Sequence, residues 1–363
     1  MLKRKNEPLC VSCQAPDRNV RLGAKRVGWK KQFFYVIMIC IGFALAIGLS
    51  EGVLRLRGEK PFSYAILDKN EPTMCAFDPL LGWVMKPGIY ALSSRATSAT
   101  PIRYTILEDG SRATTPDAKT ASDYDIIFVG DSYTQGFAVS DQDTFAWKIQ
   151  SKLPSLRVGN FGVMGYGTYQ SLLLLQSLFK KGMRPRIVVY GFIGHHEIRN
   201  VASAYWLRLL TMYSKRQAVY VPFCSINEEG ELQDHKPIKY LELPLRGQLA
   251  VVDYLTRKFY ELDPAQIKKN AMSMNITKKL LVEMNELITK NGAHFYVAMM
   301  DEYRGMTAPY QAFLNESQIK TIQFDFRIDK ELQCPEDGHP NSLAHSKYAE
   351  TITQTLLPDL IDQ

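Results

Sequence analysis

Nineteen consecutive residues, Gln32 to Ser50 (QFFYVIMICIGFALAIGLS), carry no charge. Wound as a helix at about 1.5 Å per residue, such a run reaches roughly 28 Å, close to the thickness of a bilayer's hydrocarbon core. A helix packed into a soluble core would keep a polar face, and this segment has none. It follows directly on a basic tail. Residues 1–31 hold nine Lys/Arg against Glu7 and Asp17, and that excess of +7 is the whole formal charge of the chain. Basic residues clustered at one end of an apolar helix stay cytoplasmic. The expectation is therefore a cytoplasmic tail (1–31), a transmembrane helix (32–50) and a large extracytoplasmic remainder. A cleaved signal peptide is the alternative, helped by Ala44-Leu45-Ala46. Against it stand the long leader and the position of that tripeptide inside the apolar run rather than after it.

The remaining residues are electrically balanced, so nothing in them argues for a nucleic-acid partner. The anchor also sorts the six cysteines. Cys10 and Cys13 fall inside, Cys40 in the membrane, and Cys75, Cys224 and Cys334 outside, where they permit at most one intramolecular disulfide. Cys10-Val-Ser-Cys13 has the spacing of half a zinc site, but four ligands are needed and no second pair is near. No metal and no cofactor is expected.

Residues 51–122 read as a linker and accessory segment, rich in Pro, Ser, Thr and aromatics. Tyr104–Leu107, before Glu108-Asp109-Gly110, suggests a small hairpin. From 123 to 363 the pattern is α/β. Ile126–Val129, Arg157–Phe161, Ile187–Tyr190 and Phe295–Met300 are short apolar runs of the kind that strands buried on both faces require. Helical stretches alternate with them, at Tyr169–Lys181 and within Ala265–Asn291, where Gly292 stands in the C′ position. A last helix is expected from Pro340 to about Leu356, ended by Pro358. This alternation implies a doubly wound parallel sheet. Residues 198–264 interrupt it with an aromatic-rich insertion that includes a hairpin around Asn227–Gly230. A substrate-covering lid and a packing subdomain are both open readings.

Ligands of open parallel sheets bind at the carboxyl ends of the strands. Four polar, glycine-containing loops fall there: Gly130-Asp131-Ser132, Asn160-Phe-Gly162-Val-Met-Gly165, Gly191-Phe-Ile-Gly194-His195-His196-Glu197, and Glu336-Asp337-Gly338-His339-Pro340-Asn341. In that order they resemble the SGNH (GDSL-type) hydrolase superfamily over roughly residues 123–357. Phe77-Asp78-Pro79-Leu-Leu-Gly82-Trp83 is similar to the lead-in segment of its membrane-anchored bacterial members. The resemblance implies a flavodoxin-like three-layer α/β/α fold and metal-free esterase or O-acyl-transfer activity. For a bacterial member of this type the location would be periplasmic.

A serine hydroxyl needs an adjacent base at neutral pH. Ser132, at a strand-to-helix junction, is the candidate nucleophile, and its own N–H can face the developing oxyanion. His339 is the candidate base, with a carboxylate two or three residues earlier to fix its tautomer. Asp337 is preferred over Glu336, being shorter and separated from His339 by a bendable glycine. The resemblance adds Gly165 as a second oxyanion donor and places His196 where the family carries an Asn. Asn160 and Asn200 are possible substitutes for that Asn, and His195 is read as structural or lid-facing. Two functions follow. One is a serine enzyme acting on ester-linked acyl groups of a cell-envelope substrate, whether small molecule, saccharide or lipid. The other is a non-catalytic binding or assembly module on the same fold.

Overall fold

The computed structural model describes residues 28–64, 73–92, 101–121, 123–213, 219–301, 308–335 and 338–361. The chain divides into two units, 1–59 and 60–363. Helix α1 (Trp29–Leu56), in the first, is long and apolar enough to cross a membrane. Phe33, Ile39, Phe43 and Leu49 are exposed along it.

The second unit opens with two hairpins, β1 (Cys75–Asp78) with β2 (Gly82–Met85) and β3 (Gly88–Leu92) with β4 (Ile102–Ile106). The alternating core follows: β5 (Ile126–Gly130), α2 (Ser132–Gln135), α3 (Phe145–Lys152), β6 (Val158–Gly162), α4 (Thr168–Lys180) and β7 (Ile187–Phe192). Next come α5 (His196–Asn200), α6 (Ala204–Tyr213), the antiparallel pair β8 (Val221–Ile226) and β9 (Leu232–Ile238), α7 (Ala250–Leu262) and α8 (Pro264–Lys290). The chain ends with β10 (His294–Met299), α9 (Ala308–Glu316), β11 (Lys320–Ile322) and α10 (Ser342–Ile361).

Five of these strands form one parallel sheet in the order β11-β10-β7-β5-β6. The uniform hydrophobicity of β5 now has its cause. Ile126 and Phe128 face one core with α3 and α10, whereas Ile127 and Val129 face the other with α4 and α8. Both faces are covered, so no position can be polar. The result is the flavodoxin-like three-layer α/β/α fold, and the strand order reverses between β5 and β7.

The turn at Glu108–Gly110 closes the expected small hairpin: Leu107 N donates to the Ser111 carbonyl and Ala113 N to the Thr105 carbonyl, both at 2.8 Å, and Ile106 bridges to Arg112, while β4 pairs with β3 as well. Arg112 in turn bridges to Asn160, which caps the exposed edge of β6. The last helix starts at Ser342, and Pro358 lies inside it rather than ending it. Tertiary contacts hold the turn beyond that proline: Asp359 accepts from Tyr296 and Lys320 at 2.6 Å each, and Arg186 donates to the Leu360 carbonyl at 3.1 Å. No disulfide joins Cys75, Cys224 and Cys334. The Cys10/Cys13 pair lies outside the described residues.

His345, on α10, is buried between the layers, and its Nδ1 accepts the Phe145 N–H at 3.3 Å. Burial, with Arg112 and Lys148 adding to it, pushes the imidazole down to about 3. The unfolded chain, with an ordinary His near 6.5, takes up the proton first, so stability should fall as pH drops below about 6.5 and go on falling toward about 3. This one group can contribute a slope of up to ~1.4 kcal/mol per pH unit. Urea midpoints between pH 7 and 4 should show it. His345→Gln, which can still accept a hydrogen bond, should flatten the dependence; an unchanged slope would remove His345 from the account.

Candidate active site

Strand β5 ends on Gly130, and the chain turns at once into α2, whose first residue is Ser132. Asp131 makes that turn, accepting the Tyr133 N–H on Oδ1 at 3.0 Å as the helix N-cap. The short helix sits directly on the sheet because the neighbouring strand ends lack side chains. A Cβ on Gly162 would lie 2.4 Å from the Gln135 nitrogen, and one on Gly191 would lie 2.1 Å from Thr134 Oγ1. Ser132 is thereby held at the carboxyl edge, beside the β5/β7 switch point.

His339 reaches it from the far end of the chain. Its Nε2 lies 2.9 Å from Ser132 Oγ. The loop carrying it is pinched by backbone bonds, from Cys334 N to the His339 carbonyl at 2.7 Å and from Asn341 N to the Leu332 carbonyl at 2.9 Å. Asn341 then caps α10 through Leu343 and Ala344. The imidazole packs beside the rings of Tyr133 and Phe137, at 5.7 and 5.0 Å between centroids. Glu336 and Asp337 lie outside the described residues.

Gly165 follows β6 with φ +81°, a backbone state that disfavours any side chain. A Cβ there would stand 3.1 Å from Trp83 and 3.4 Å from Trp206. The lead-in motif thus has a structural task. Trp83 Nε1 donates to the Met164 carbonyl at 3.0 Å, and the Tyr166 hydroxyl donates to the Trp83 carbonyl at 2.5 Å, so β2 clamps the Gly165 loop from both sides. Among the described residues, neither the Ser132 N–H nor the Gly165 N–H has an acceptor.

His196 has neighbours other than those expected of an oxyanion donor. It is fully buried, with Nδ1 2.5 Å from the Tyr190 hydroxyl and Nε2 3.4 Å from Asp131 Oδ2. Burial lowers its proton affinity more than Asp131 raises it. The two substitutes are committed as well. Asn160 donates to the Thr134 carbonyl and accepts from Gly162, and Asn200 bonds Tyr169, Thr168 and Thr277. His195 is exposed.

Arg199 went unremarked as a site residue in the sequence, although it lies in α5, shortly after β7. Its Nη1 donates to Asp131 Oδ2 at 2.7 Å and to the Tyr166 carbonyl at 2.8 Å, while its guanidinium stacks 4.6 Å from the Trp206 ring. One nitrogen therefore ties the Ser132 turn to the Gly165 loop. Burial opposes the charge of Asp131, but Arg199 and His196 outweigh it and hold the carboxyl well below the usual range. A permanent carboxylate here keeps the N-cap of α2 made at any physiological pH.

No protein-family model matches the sequence, and no curated protein matches it either. Several solved structures are similar in fold, and among them are GDSL-type lipolytic proteins. TesA matches at 15% identity and a TM-score of 0.38, over 64% of this chain and 98% of its own. A lipolytic protein of the G-D-S-L family from Veillonella parvula gives 11% and 0.38, over 64% of this chain and 97% of its own. A family two carbohydrate esterase from Clostridium thermocellum gives 12% and 0.37, over 65% of this chain and 64% of its own. Likenesses this faint carry no argument about activity.

Proposed function

We propose that the protein is a membrane-anchored serine esterase or O-acyltransferase acting on ester-linked acyl groups of a cell-envelope saccharide or lipid. The single observation that carries this is the 2.9 Å contact between Ser132 Oγ and His339 Nε2 at the carboxyl edge of the parallel sheet. In this reading His339 takes the hydroxyl proton as Ser132 attacks the ester carbonyl. The Ser132 and Gly165 N–H groups receive the oxyanion, as preorganised donors in a dry site. Collapse expels the alcohol, which takes the proton back from His339 and leaves an acyl-serine; water or another hydroxyl then accepts the acyl group. Asp337 orients the base. His196 acts at one remove, by bordering Asp131, and Arg199 holds the two donor loops in register.

A fluorophosphonate probe reacts only with an activated serine. Membranes carrying the protein should be labelled at Ser132, and Ser132→Ala should abolish the label without moving the thermal midpoint. A folded protein that takes no label would favour the non-catalytic binding module, and a label on another serine would move the nucleophile.

The envelope location is supported by the length and apolarity of α1 and by the basic residues before it. A reporter active only outside the cytoplasm should work when fused after Lys60. Activity from a fusion at Met1 instead would reverse the orientation.

A further inference from the structure

The insertion between β7 and α8 leaves apolar surface in water. On α7, Leu255, Phe259 and Leu262 recur at helical spacing, with Phe259 62% and Leu262 75% exposed, while Ala250, Val251, Asp253 and Thr256 are buried on the other side. Ile267 at the start of α8 is exposed too. So is Leu241, whose backbone N–H is bonded to the Tyr260 hydroxyl at 2.9 Å. Leu255, Phe259 and Leu262 thus make one stripe along α7, with Leu241 and Ile267 exposed on the flanking segments; Lys258, ion-paired with Glu261, and Lys268 stand among them. Patches of this kind on a water-facing domain mark a partner surface.

The covalent chain says which partner. Helix α1 ends at Leu56, and by Phe62 the chain is fixed on this same insertion. Phe62 is buried; its N–H donates to the Arg246 carbonyl at 2.9 Å, and its ring lies 3.5 Å from the Arg246 guanidinium and 5.1 Å from that of Arg208. Arg208 in turn donates to Asp253 of α7 at 2.8 Å. Residues 57–62 span at most ~20 Å when fully extended. The tether between α1 and the insertion is therefore short.

We propose that the Leu255, Phe259 and Leu262 face of α7 lies in the headgroup boundary of the bilayer that α1 crosses. This rests on reading α1 as membrane-spanning. A helix with an apolar stripe and lysines at its margin settles ~5–10 Å into that boundary, apolar side down, with the ammonium groups at the phosphates. The insertion is then a platform that holds the Ser132 edge near the membrane surface, where a lipid-linked acyl donor or acceptor would be met.

The test uses the full chain in nanodiscs of phosphatidylethanolamine and phosphatidylglycerol. A photoreactive benzoylphenylalanine replaces Phe259, Phe43 of α1, or Ile361 in separate preparations. Ile361 is an exposed apolar residue beside Leu360, which Arg186 ties to the amino edge of the sheet, opposite the insertion. Mass spectrometry should find lipid adducts at 259 and 43 in comparable yield and none at 361. Adducts at 43 alone would overturn the platform while leaving the anchor standing. Protein–protein adducts at 259 would make the patch an interface between chains and overturn it equally. No adduct at 43 would remove the anchor reading and this proposal with it.

Discussion

Ser132→Ala and His339→Ala should each lower kcat for a short-chain ester by on the order of 10⁶, and the double variant should be scarcely worse than either. In the proposed mechanism nucleophile and base act as one unit, so removing one already removes most of what both supply. The residual rate would belong to the Ser132 and Gly165 N–H donors, which neither change removes. The orienting carboxylate is worth about 10⁴ where an analogous triad has been cut. Asp337→Asn should therefore lose far more turnover than Glu336→Gln, with both variants folded. The reverse ranking would make Glu336 the third member, and two small effects would leave Ser132 and His339 as a dyad. A double variant far slower than either single would mean that the two groups work independently, contrary to their 2.9 Å contact.

Arg112→Ala should be the most damaging substitution outside the proposed triad, and it should act on stability. Arg112 is buried, and its guanidinium makes five hydrogen bonds: to Asp141 Oδ1 at 2.8 Å and to the carbonyls of Gln135, Gly136, Arg103 and Val139 at 2.7 to 3.0 Å. It also stacks 3.9 Å from the Tyr104 ring. The group thus closes the loop that follows α2 and fastens it to β4. Truncation takes the buried guanidinium from the Asp141 carboxylate and leaves it the Thr105 N–H at 3.1 Å and the exposed Arg103 at 3.9 Å; breaking such a buried pair typically costs ~3–5 kcal/mol. The thermal midpoint should fall by about 10 °C. Arg112→Lys should recover only part of this, because a point charge cannot reproduce the planar fork. Combining Arg112→Ala with Asp141→Ala should cost less than the sum of the two. A midpoint within 2 °C of wild type would show the loop to be held by other contacts.

The local reading succeeded where burial alone decides. Ile126–Val129 had to be a strand covered on both faces, and Gly292 had to close α8, where it takes φ +80°. It failed at Pro358, where propensity argues for a stop but Tyr296, Lys320 and Arg186 anchor the turn beyond the proline through Asp359 and the Leu360 carbonyl. It also passed over Arg112 and Arg199, because a charged side chain reads as surface unless its partners are known. Those partners lie far along the chain: Arg199 meets Asp131 across 68 residues, and His339 meets Ser132 across 207.

The sequence by itself determined the apolar helix, the alternation of strands and helices, and the order of the four loops along one sheet edge. Each of these depends on periodicity, on charge or on where a strand stops, all properties of neighbouring residues. Tertiary structure alone decided which side chains meet. It turned His196 toward Tyr190 and Asp131, committed Asn160 and Asn200 to the scaffold, and set Trp83 and Arg199 around the Gly165 loop. The physical reason is that a buried polar group must find its partner wherever packing puts one, and packing is a property of the closed three-layer core rather than of any stretch of chain.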